Sequence, residues 1–302
     1  MFKNHPKGLL AAALANMGER FGFYTMMAIL VLFLQAKFGL SGTNAGIIYS
    51  IFYFSIYILA FIGGLIADKT RNYKGVILIG LIMMALGYFL IAIPSPTPTP
   101  NKALFLTLTC VGLFVIAFGN GMFKGNLQAV VGNLYEAPEF QSKRDSAFSI
   151  FYMGINIGAL FAPTVAISLK KYILATANFV DKAEVPALCW NVKHGVEGAA
   201  DKLTAIAPSA YLNGALPANF DVNTFAEQYI SAFSRGYNWA FGFAAVMMLV
   251  SLVVYFAFNS YLKPGYSVTT KNAKGEAAPV ADMPADEVRK RLTALFLVFG
   301  VV

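Results

Sequence analysis

The sequence has few charged residues, which make up 13% of its 302 positions, whereas soluble domains carry roughly 25%. Hydrophobic residues make up 58%, and the mean hydropathy is +0.62. So little charge cannot cover a soluble globule with polar surface. The composition therefore excludes an ordinary soluble protein and indicates helices in a lipid bilayer.

Cysteine and histidine are also scarce, with two of each. Cys110 lies in an apolar run and Cys189 in a polar stretch, with no spacing typical of a metal site or a disulfide framework. His5 and His194 lie outside the hydrophobic runs, and no arrangement of nucleophile and base is visible. We therefore expect no catalytic residue, no metal, no cofactor and no enzymatic activity.

Basic residues exceed acidic ones, 23 against 15, which gives a net charge of +8. They are spread over short segments between apolar runs and do not form one patch, so we expect no binding of nucleic acid.

Six apolar runs are long enough to cross a bilayer, whose core needs about 20 residues per helix. They lie at 9–34, 44–67, 75–93, 103–131, 147–169 and 239–262. The first run resembles a signal peptide, but its hydrophobicity continues past Arg20, so we interpret it as an uncleaved helix. The chain is predicted to be an all-α membrane protein.

The short connections differ in positive charge on alternate sides. One set contains Lys3, Lys7, Lys69, Arg71, Lys74, Lys143 and Arg144, and the other only Lys37 and Lys102. The positive-inside rule places the N-terminus in the cytoplasm of a multi-pass protein of the cell (inner) membrane.

The predicted organisation is five transmembrane helices in residues 1–169, an extracytoplasmic insertion at 170–235, a sixth helix at 236–262, a cytoplasmic linker at 263–291, and the start of a seventh helix at 292–302. The insertion forms either a small amphipathic lid or a mobile insertion, and we favour the mobile insertion because long loops vary freely. Late in the linker, Pro284 followed by Asp286 and Glu287 predicts the start of a helix.

Three ionisable residues, Glu19, Arg20 and Lys124, lie within the apolar runs. Each costs at least about 2.5 kcal/mol at membrane depth, which favours a functional role. If Glu19 and Lys124 neutralise each other, Arg20 has no acidic partner nearby. An unpaired guanidinium grips an external carboxylate with two parallel hydrogen bonds, so we predict that Arg20 is a carboxylate clamp.

Polar residues recur at every fourth position on two helices, which places them in stripes. The stripes are Asn16, Arg20 and Tyr24 in the first run, and Asn120, Lys124 and Gln128 in the fourth. Stripes that face each other form a water-filled cavity.

Tyr49, Tyr53 and Tyr57 share one face of the second run, either as helix packing or as a cavity wall. In the fifth run, Gly154 and Gly158 form a pattern of small residues that permits close helix packing.

Several segments resemble the proton-dependent oligopeptide transporters (POT) of the major facilitator superfamily. The segment FSIFYMGINIGAL at 148–160 is similar to that family's signature. GGLIADK at 63–69 resembles the superfamily's G-x-x-x-D-R/K loop, without the glycine that usually follows it. GNGMFKGN at 119–126 resembles the fourth-helix motif, with Gly125 where proline is usual.

The first helix departs from the family's E-x-x-E-R-F-x-Y-Y motif, because NMGERFGFY at 16–24 has Asn16 for the first glutamate and Phe23 for the first tyrosine.

The resemblance implies a major facilitator fold, as an N-terminal six-helix bundle plus the start of a seventh helix. It also implies site roles: Arg20 and Lys124 bind the substrate's C-terminal carboxylate, Asn156 bonds its backbone, Tyr24 and Tyr57 form the pocket wall, Glu19 carries the proton, and Asp68 belongs to the conformational loop.

The resemblance further implies a proton-coupled symporter that imports di- and tripeptides by alternating access. Its partners would be peptides, protons and the lipid bilayer, and we expect the full-length chain to work as a monomer. Two alternatives stay open: a relative that carries nitrate or an organic acid, and an uncoupled peptide facilitator, since Asn16 replaces a titratable group.

Overall fold

The computed structural model describes residues 4–262, 270–271, 277–278 and 284–301, in two units, Met1–Gly265 and Tyr266–Val302. In its described part, the first unit consists of helices and the connections between them. Its helices are α1 (Lys7–Phe38), α2 (Gly42–Thr70), α3 (Tyr73–Ala92), α4 (Lys102–Asn133), α5 (Pro138–Gln141), α6 (Arg144–Thr176), α7 (Val185–Lys193), α8 (Ala199–Ala210) and α9 (Val222–Ala257), followed by a 3₁₀ turn at Asn259–Tyr261.

Six of these helices, α1 to α4, α6 and α9, are long and apolar enough to cross a membrane. The predicted all-α membrane fold is therefore confirmed. Polar caps set several helix starts: the Ser41 hydroxyl accepts a hydrogen bond from the Asn44 backbone at the start of α2, and the Asn101 side chain accepts one from Leu104 at the start of α4.

The bundle is held together by close approaches of helix backbones at glycine. α4 packs against α2 and α3, and α1 packs against α6 and α9. A β-carbon built on Gly63 of α2 would lie 2.4 Å from the Gly121 carbonyl oxygen of α4. On α6, β-carbons built on Gly154 and Gly158 would lie 3.0 and 2.6 Å from carbonyl oxygens of α1, so the predicted small-residue packing is confirmed.

The contact between α2 and α4 gives a prediction with a control in the same helix. Gly121→Ala places a methyl group 2.5 Å from the Leu59 carbonyl, whereas a β-carbon on Gly125 meets nothing within 4 Å. We expect Gly121→Ala to lower the free energy of unfolding by about 1 to 3 kcal/mol, and Gly125→Ala to leave it unchanged or raise it by up to about 1 kcal/mol. Thermal unfolding in detergent, followed by circular dichroism, measures both. Equal melting temperatures would show that this helix contact tolerates a methyl group.

The region predicted as an extracytoplasmic insertion is largely helical. α6 continues to Thr176 and α9 begins at Val222, so only residues 177–221 connect them, and these contain α7 and α8. Cys189 of α7 and Leu203 of α8 are fully buried. An amphipathic sequence with apolar residues at helical spacing folds when it finds a surface to cover, and here α7 and α8 cover part of α9.

Two contacts fasten α7 to the bundle. The Trp190 indole N–H donates a hydrogen bond of 2.8 Å to the Ala36 carbonyl near the end of α1, and Lys193 forms an ion pair with Glu227 of α9. The Trp190 ring also lies against Gly39, where a β-carbon would come within 2.7 Å of it. Gly39 has a φ of 60°, a left-handed conformation that glycine adopts without strain.

In the second unit, the strands Thr270–Lys271 and Ala277–Ala278 pair antiparallel, and α10 spans Ala285–Val301. The helix start predicted at Pro284 is confirmed, with Asp286 and Glu287 in the first turn of α10. The helix begins before the predicted boundary at 292. Much of the predicted linker, at 263–269, 272–276 and 279–283, lies outside the described residues, as do Lys3 and Val302.

Candidate binding site in the helical bundle

The centre of the site is a buried ion pair between adjacent residues of α1. The Arg20 Nε atom lies 2.5 Å from Glu19 Oε2, and Nη2 donates to Oε1 at 2.7 Å. Both side chains are almost completely buried, with exposed fractions of 5% and 1%. The Arg20 guanidinium therefore donates two parallel hydrogen bonds to the Glu19 carboxylate.

This pairing corrects the expectation that Arg20 lacks an acidic partner and that Glu19 pairs with Lys124. Adjacent residues leave a helix in different directions, which made the pair look improbable from sequence. Both side chains are long and flexible, however. Two buried charges that converge avoid the large cost of desolvating either one alone.

Asn120 of α4 holds Glu19 from the neighbouring helix. Its amide nitrogen donates a hydrogen bond of 2.6 Å to Glu19 Oε1, and Asn120 itself is 1% exposed. The Arg20 guanidinium lies 4.6 Å from the centre of the Phe23 ring, which adds a cation–π contact. Phe23, at a position where the family motif has tyrosine, thus supports the ion pair from one side.

Lys124 lies one turn beyond Asn120 on α4. It is half-buried, and its ammonium lies 5.8 Å from the centre of the Tyr57 ring of α2. Within the described residues it forms no ion pair. Among the described residues, Lys124, and not Arg20, is therefore the cation of this site that has no carboxylate partner.

The tyrosines of α2 border Lys124 as a polar wall. The Tyr53 and Tyr57 hydroxyls lie 3.0 Å apart, and 40% and 54% of the two side chains are exposed. Tyr24 of α1 is half-buried, and Tyr24 and Arg20 both lie near Tyr57. Both proposed wall residues, Tyr24 and Tyr57, thus lie in this cluster.

Two predicted residues form no hydrogen bond or ion pair with the charged residues in the described part of the chain. Asn156 is exposed on α6, between the glycines that pack against α1, and no hydrogen bond to it is found in the described part of the chain. Asp68, near the end of α2, accepts a hydrogen bond from the Tyr73 hydroxyl of α3. That bond ties the two helices together at their connection, away from the ion pair.

Two buried amides near the ion pair keep unused hydrogen-bonding atoms. Among the described residues, Asn16 Nδ2 and Asn120 Oδ1 have no partner, although Asn16 is only 3% exposed. Buried polar atoms normally have a partner, so these atoms are suited to bind water or a ligand.

The charges give the site its chemistry. Two cations, Arg20 and Lys124, lie beside one carboxylate, Glu19, so the cluster carries one net positive charge when all three are ionised. Such a cluster attracts an anionic group such as a carboxylate. The sequence predicted Asn120 in the polar stripe of α4. Its hydrogen bond to Glu19 could not be predicted, because that bond depends on how α1 lies against α4.

A six-helix bundle with a charged, partly open cluster at membrane depth is typical of a multi-pass membrane transport protein. Comparisons with known proteins agree with this class. The pattern that defines the POT family matches residues 74–200. Over these residues the chain is similar to the POT family, as the resemblance of its motifs predicted, and that family and the relatives described below are transporters and not enzymes.

Curated relatives include the peptide transporter YePEPT of Yersinia enterocolitica, which is 37% identical over 170 residues, and a di-/tripeptide transporter of Lactococcus lactis, 37% identical over 171 residues. These matches cover 55% and 54% of this chain but 32% of each relative. Dipeptide and tripeptide permease A of Escherichia coli is 32% identical over 157 residues, which cover 52% of this chain and 29% of the permease.

Solved structures with the same fold include a mutant of the peptide transporter POT in complex with sulfate, with a TM-score of 0.58 and 25% identity. It covers 100% of this chain, which spans 45% of that protein. A bacterial homologue of human drug peptide transporters covers 96% of this chain, with a TM-score of 0.57 and 25% identity, and the chain spans 47% of it. The chain thus spans between 29% and 47% of the length of these relatives.

Proposed function

We propose that this chain forms half of a proton-coupled symporter that imports di- and tripeptides by alternating access, with two helical bundles rocking about a site near the middle of the membrane. Three curated relatives are named as peptide transporters or permeases. The observation that carries the proposal is Lys124, which has no ion-pair partner among the described residues, beside the closed pair of Glu19 and Arg20. The full-length protein would work as a monomer.

The arrangement suggests how proton and peptide binding are linked. While Glu19 is ionised, both of its oxygens occupy the Arg20 guanidinium, and only Lys124 is open to a carboxylate. Protonation of Glu19 removes the charge that holds Arg20. Arg20 can then join Lys124 on the peptide's C-terminal carboxylate, which makes peptide binding tighter when a proton is bound.

The polar wall would hold the rest of the peptide. Tyr57 offers a hydroxyl beside Lys124, Tyr24 lies close by, and Asn156 offers both donor and acceptor groups to a peptide backbone. Asp68, at the connection of α2 and α3, would act in the conformational change and not in binding.

Uptake of labelled alanyl-alanine by the full-length protein in proteoliposomes tests the substrate. We expect unlabelled di- and tripeptides to compete, and free alanine and nitrate to have no effect, because the site needs a backbone to engage Asn156 as well as a carboxylate. Competition by nitrate without competition by peptides would instead support a carrier of small anions.

For orientation, we propose that the N-terminus is cytoplasmic and that α7 and α8 lie outside, since the short connections richest in Lys and Arg fall on one side. Single cysteines at the exposed positions Ser142 and Glu197 test this in a Cys110→Ser background. Cys189 can remain, because burial raises the pKa of its thiol to about 12 and leaves almost no reactive thiolate. In intact cells we expect an impermeant maleimide to label position 197 and not 142; the reverse pattern would invert the topology.

A further inference from the structure

A large cavity lies away from the charged cluster, under α7. It has a volume of about 610 Å³ and is bounded by the ends of α1 and α6, the start of α2, and parts of α7 and α9. None of its lining residues belongs to the site described above. Its volume is typical of cavities that bind small molecules, roughly 300 to 1,000 Å³.

The cavity contains a buried ion pair. The Lys170 ammonium of α6 lies 2.8 Å from Asp181 Oδ2, and the two side chains are 9% and 14% exposed. Lys170 also lies 4.6 Å from the Phe233 ring centre and 5.3 Å from that of Tyr237, both on α9. Within the described residues, this is the only partner found for Asp181, so its second oxygen is available to a donor.

One face of α7 completes the wall. Trp190 and Asn191 of α7 line the cavity together with His194, which directly follows the helix, and the Trp190 and His194 rings stack 5.7 Å apart. A helix that served only to stabilise the bundle would fill this space with apolar side chains, since protein interiors are close-packed. Here the face instead presents an amide and an imidazole to an open volume.

The charges define which ligand fits. Lys170 and Asp181 are the only lining residues with a full charge, and together they are neutral. An anion bound to Lys170 would be repelled by Asp181, and a cation bound to Asp181 would be repelled by Lys170. A zwitterion avoids both repulsions, because it places a carboxylate on Lys170 and an ammonium on Asp181 at the same time. The aromatic rings offer an apolar surface to its side chains.

We infer that this cavity is a second binding site, for a small zwitterion such as an amino acid or a short peptide. The inference goes beyond the proposed transport function and does not depend on it. With the proposed orientation, the site would face the outside of the membrane.

Tryptophan fluorescence tests the site, because Trp190 lines the cavity while Trp239, the other tryptophan of this chain, is 62% exposed on α9. The full-length protein in detergent is titrated with alanyl-alanine. We expect a saturable change that Trp190→Phe abolishes and Trp239→Phe retains. N-acetyl-alanyl-alanine amide, which has no charge, should bind at least tenfold more weakly.

Two further variants separate this cavity from the charged cluster. Lys170→Met with Asp181→Leu removes both charges together, a replacement that buried ion pairs often tolerate, and it should abolish the response. Lys124→Ala should retain it. If the double variant melts too low for titration, Ala187→Phe fills the cavity instead and should have the same effect.

Each other outcome overturns the inference. Loss of the response in Lys124→Ala would mean that Trp190 reports on the charged cluster. A response that survives the double variant or Ala187→Phe, or the absence of any saturable response in the parent protein, would show that no zwitterion binds this cavity. Peptide uptake, measured in parallel, tells failure of this site apart from failure of the transport proposal.

Discussion

Replacing Glu19 with glutamine should abolish the uphill accumulation of dipeptide and leave exchange of peptide across the membrane intact. Glutamine cannot release or take up a proton at working pH, and it leaves Arg20 without the charge that closes the ion pair. Peptide binding then no longer depends on protonation of this site. The carrier would equilibrate peptide without concentrating it.

The expected difference is large. A pH gradient of one unit supplies about 1.36 kcal/mol per proton, and a membrane potential of 100 mV adds about 2.3 kcal/mol. Together they support accumulation of more than about a hundredfold for one proton per neutral peptide, whereas the variant should stop at equal concentrations. Proteoliposomes with an imposed inward proton gradient measure accumulation, and counterflow of labelled peptide measures exchange.

A matched control is Glu139→Gln, which makes the same chemical change at an exposed acid of α5 and should leave accumulation unchanged. Accumulation by Glu19→Gln equal to that of the parent would place the coupling proton elsewhere in the full-length protein. Failure of the parent protein itself to accumulate peptide would support the uncoupled facilitator, the alternative suggested by Asn16.

Asn16 allows the same mechanism to be tested in the opposite direction. Its buried amide nitrogen has no partner within the described residues, and it precedes Arg20 by one helical turn. Asn16→Glu adds a second titratable group on the same face and should shift the pH optimum of uptake.

The second large effect concerns the two cations. Arg20→Lys keeps the charge, but an ammonium cannot donate two parallel hydrogen bonds to a carboxylate as the guanidinium does to both Glu19 oxygens, at 2.5 and 2.7 Å. Loss of one charge-assisted hydrogen bond costs about 1.5 to 3 kcal/mol, so we expect uptake to fall about tenfold to a hundredfold. Lys124→Ala should reduce peptide binding at least as strongly, because it removes the cation that is unpaired in this site.

The initial rate of uptake over a range of dipeptide concentrations gives KM and the maximal rate for each variant. Arg235→Lys, at an exposed position of α9, is the matched control and should behave as the parent does. A melting temperature for each variant tells loss of binding apart from loss of folding. Near-normal KM in Arg20→Lys would assign Arg20 a purely structural role.

Much of the fold could be predicted from the sequence. The bilayer requires each spanning helix to be long and apolar, so hydropathy alone located the six spans. Cap residues and prolines bound several of the helices, and Pro284 marked the start of α10. Connections such as 177–221 were harder to predict, because short amphipathic helices fold only where a neighbouring surface buries them.

The candidate site was also predictable only in part. The sequence by itself determined that Glu19, Arg20 and Lys124 lie at membrane depth and that Asn120 shares a face with Lys124, because the helical repeat fixes which residues of one helix lie together. Only the tertiary structure decided that Glu19 pairs with Arg20, that Asn120 reaches Glu19, and that Lys170 meets Asp181 beneath α7. These contacts depend on side-chain conformation and on the rotation and height of one helix against another. The rotation and height of each helix are set by close contacts such as that between Gly63 and Gly121. The residue pattern of a single helix does not predict such contacts.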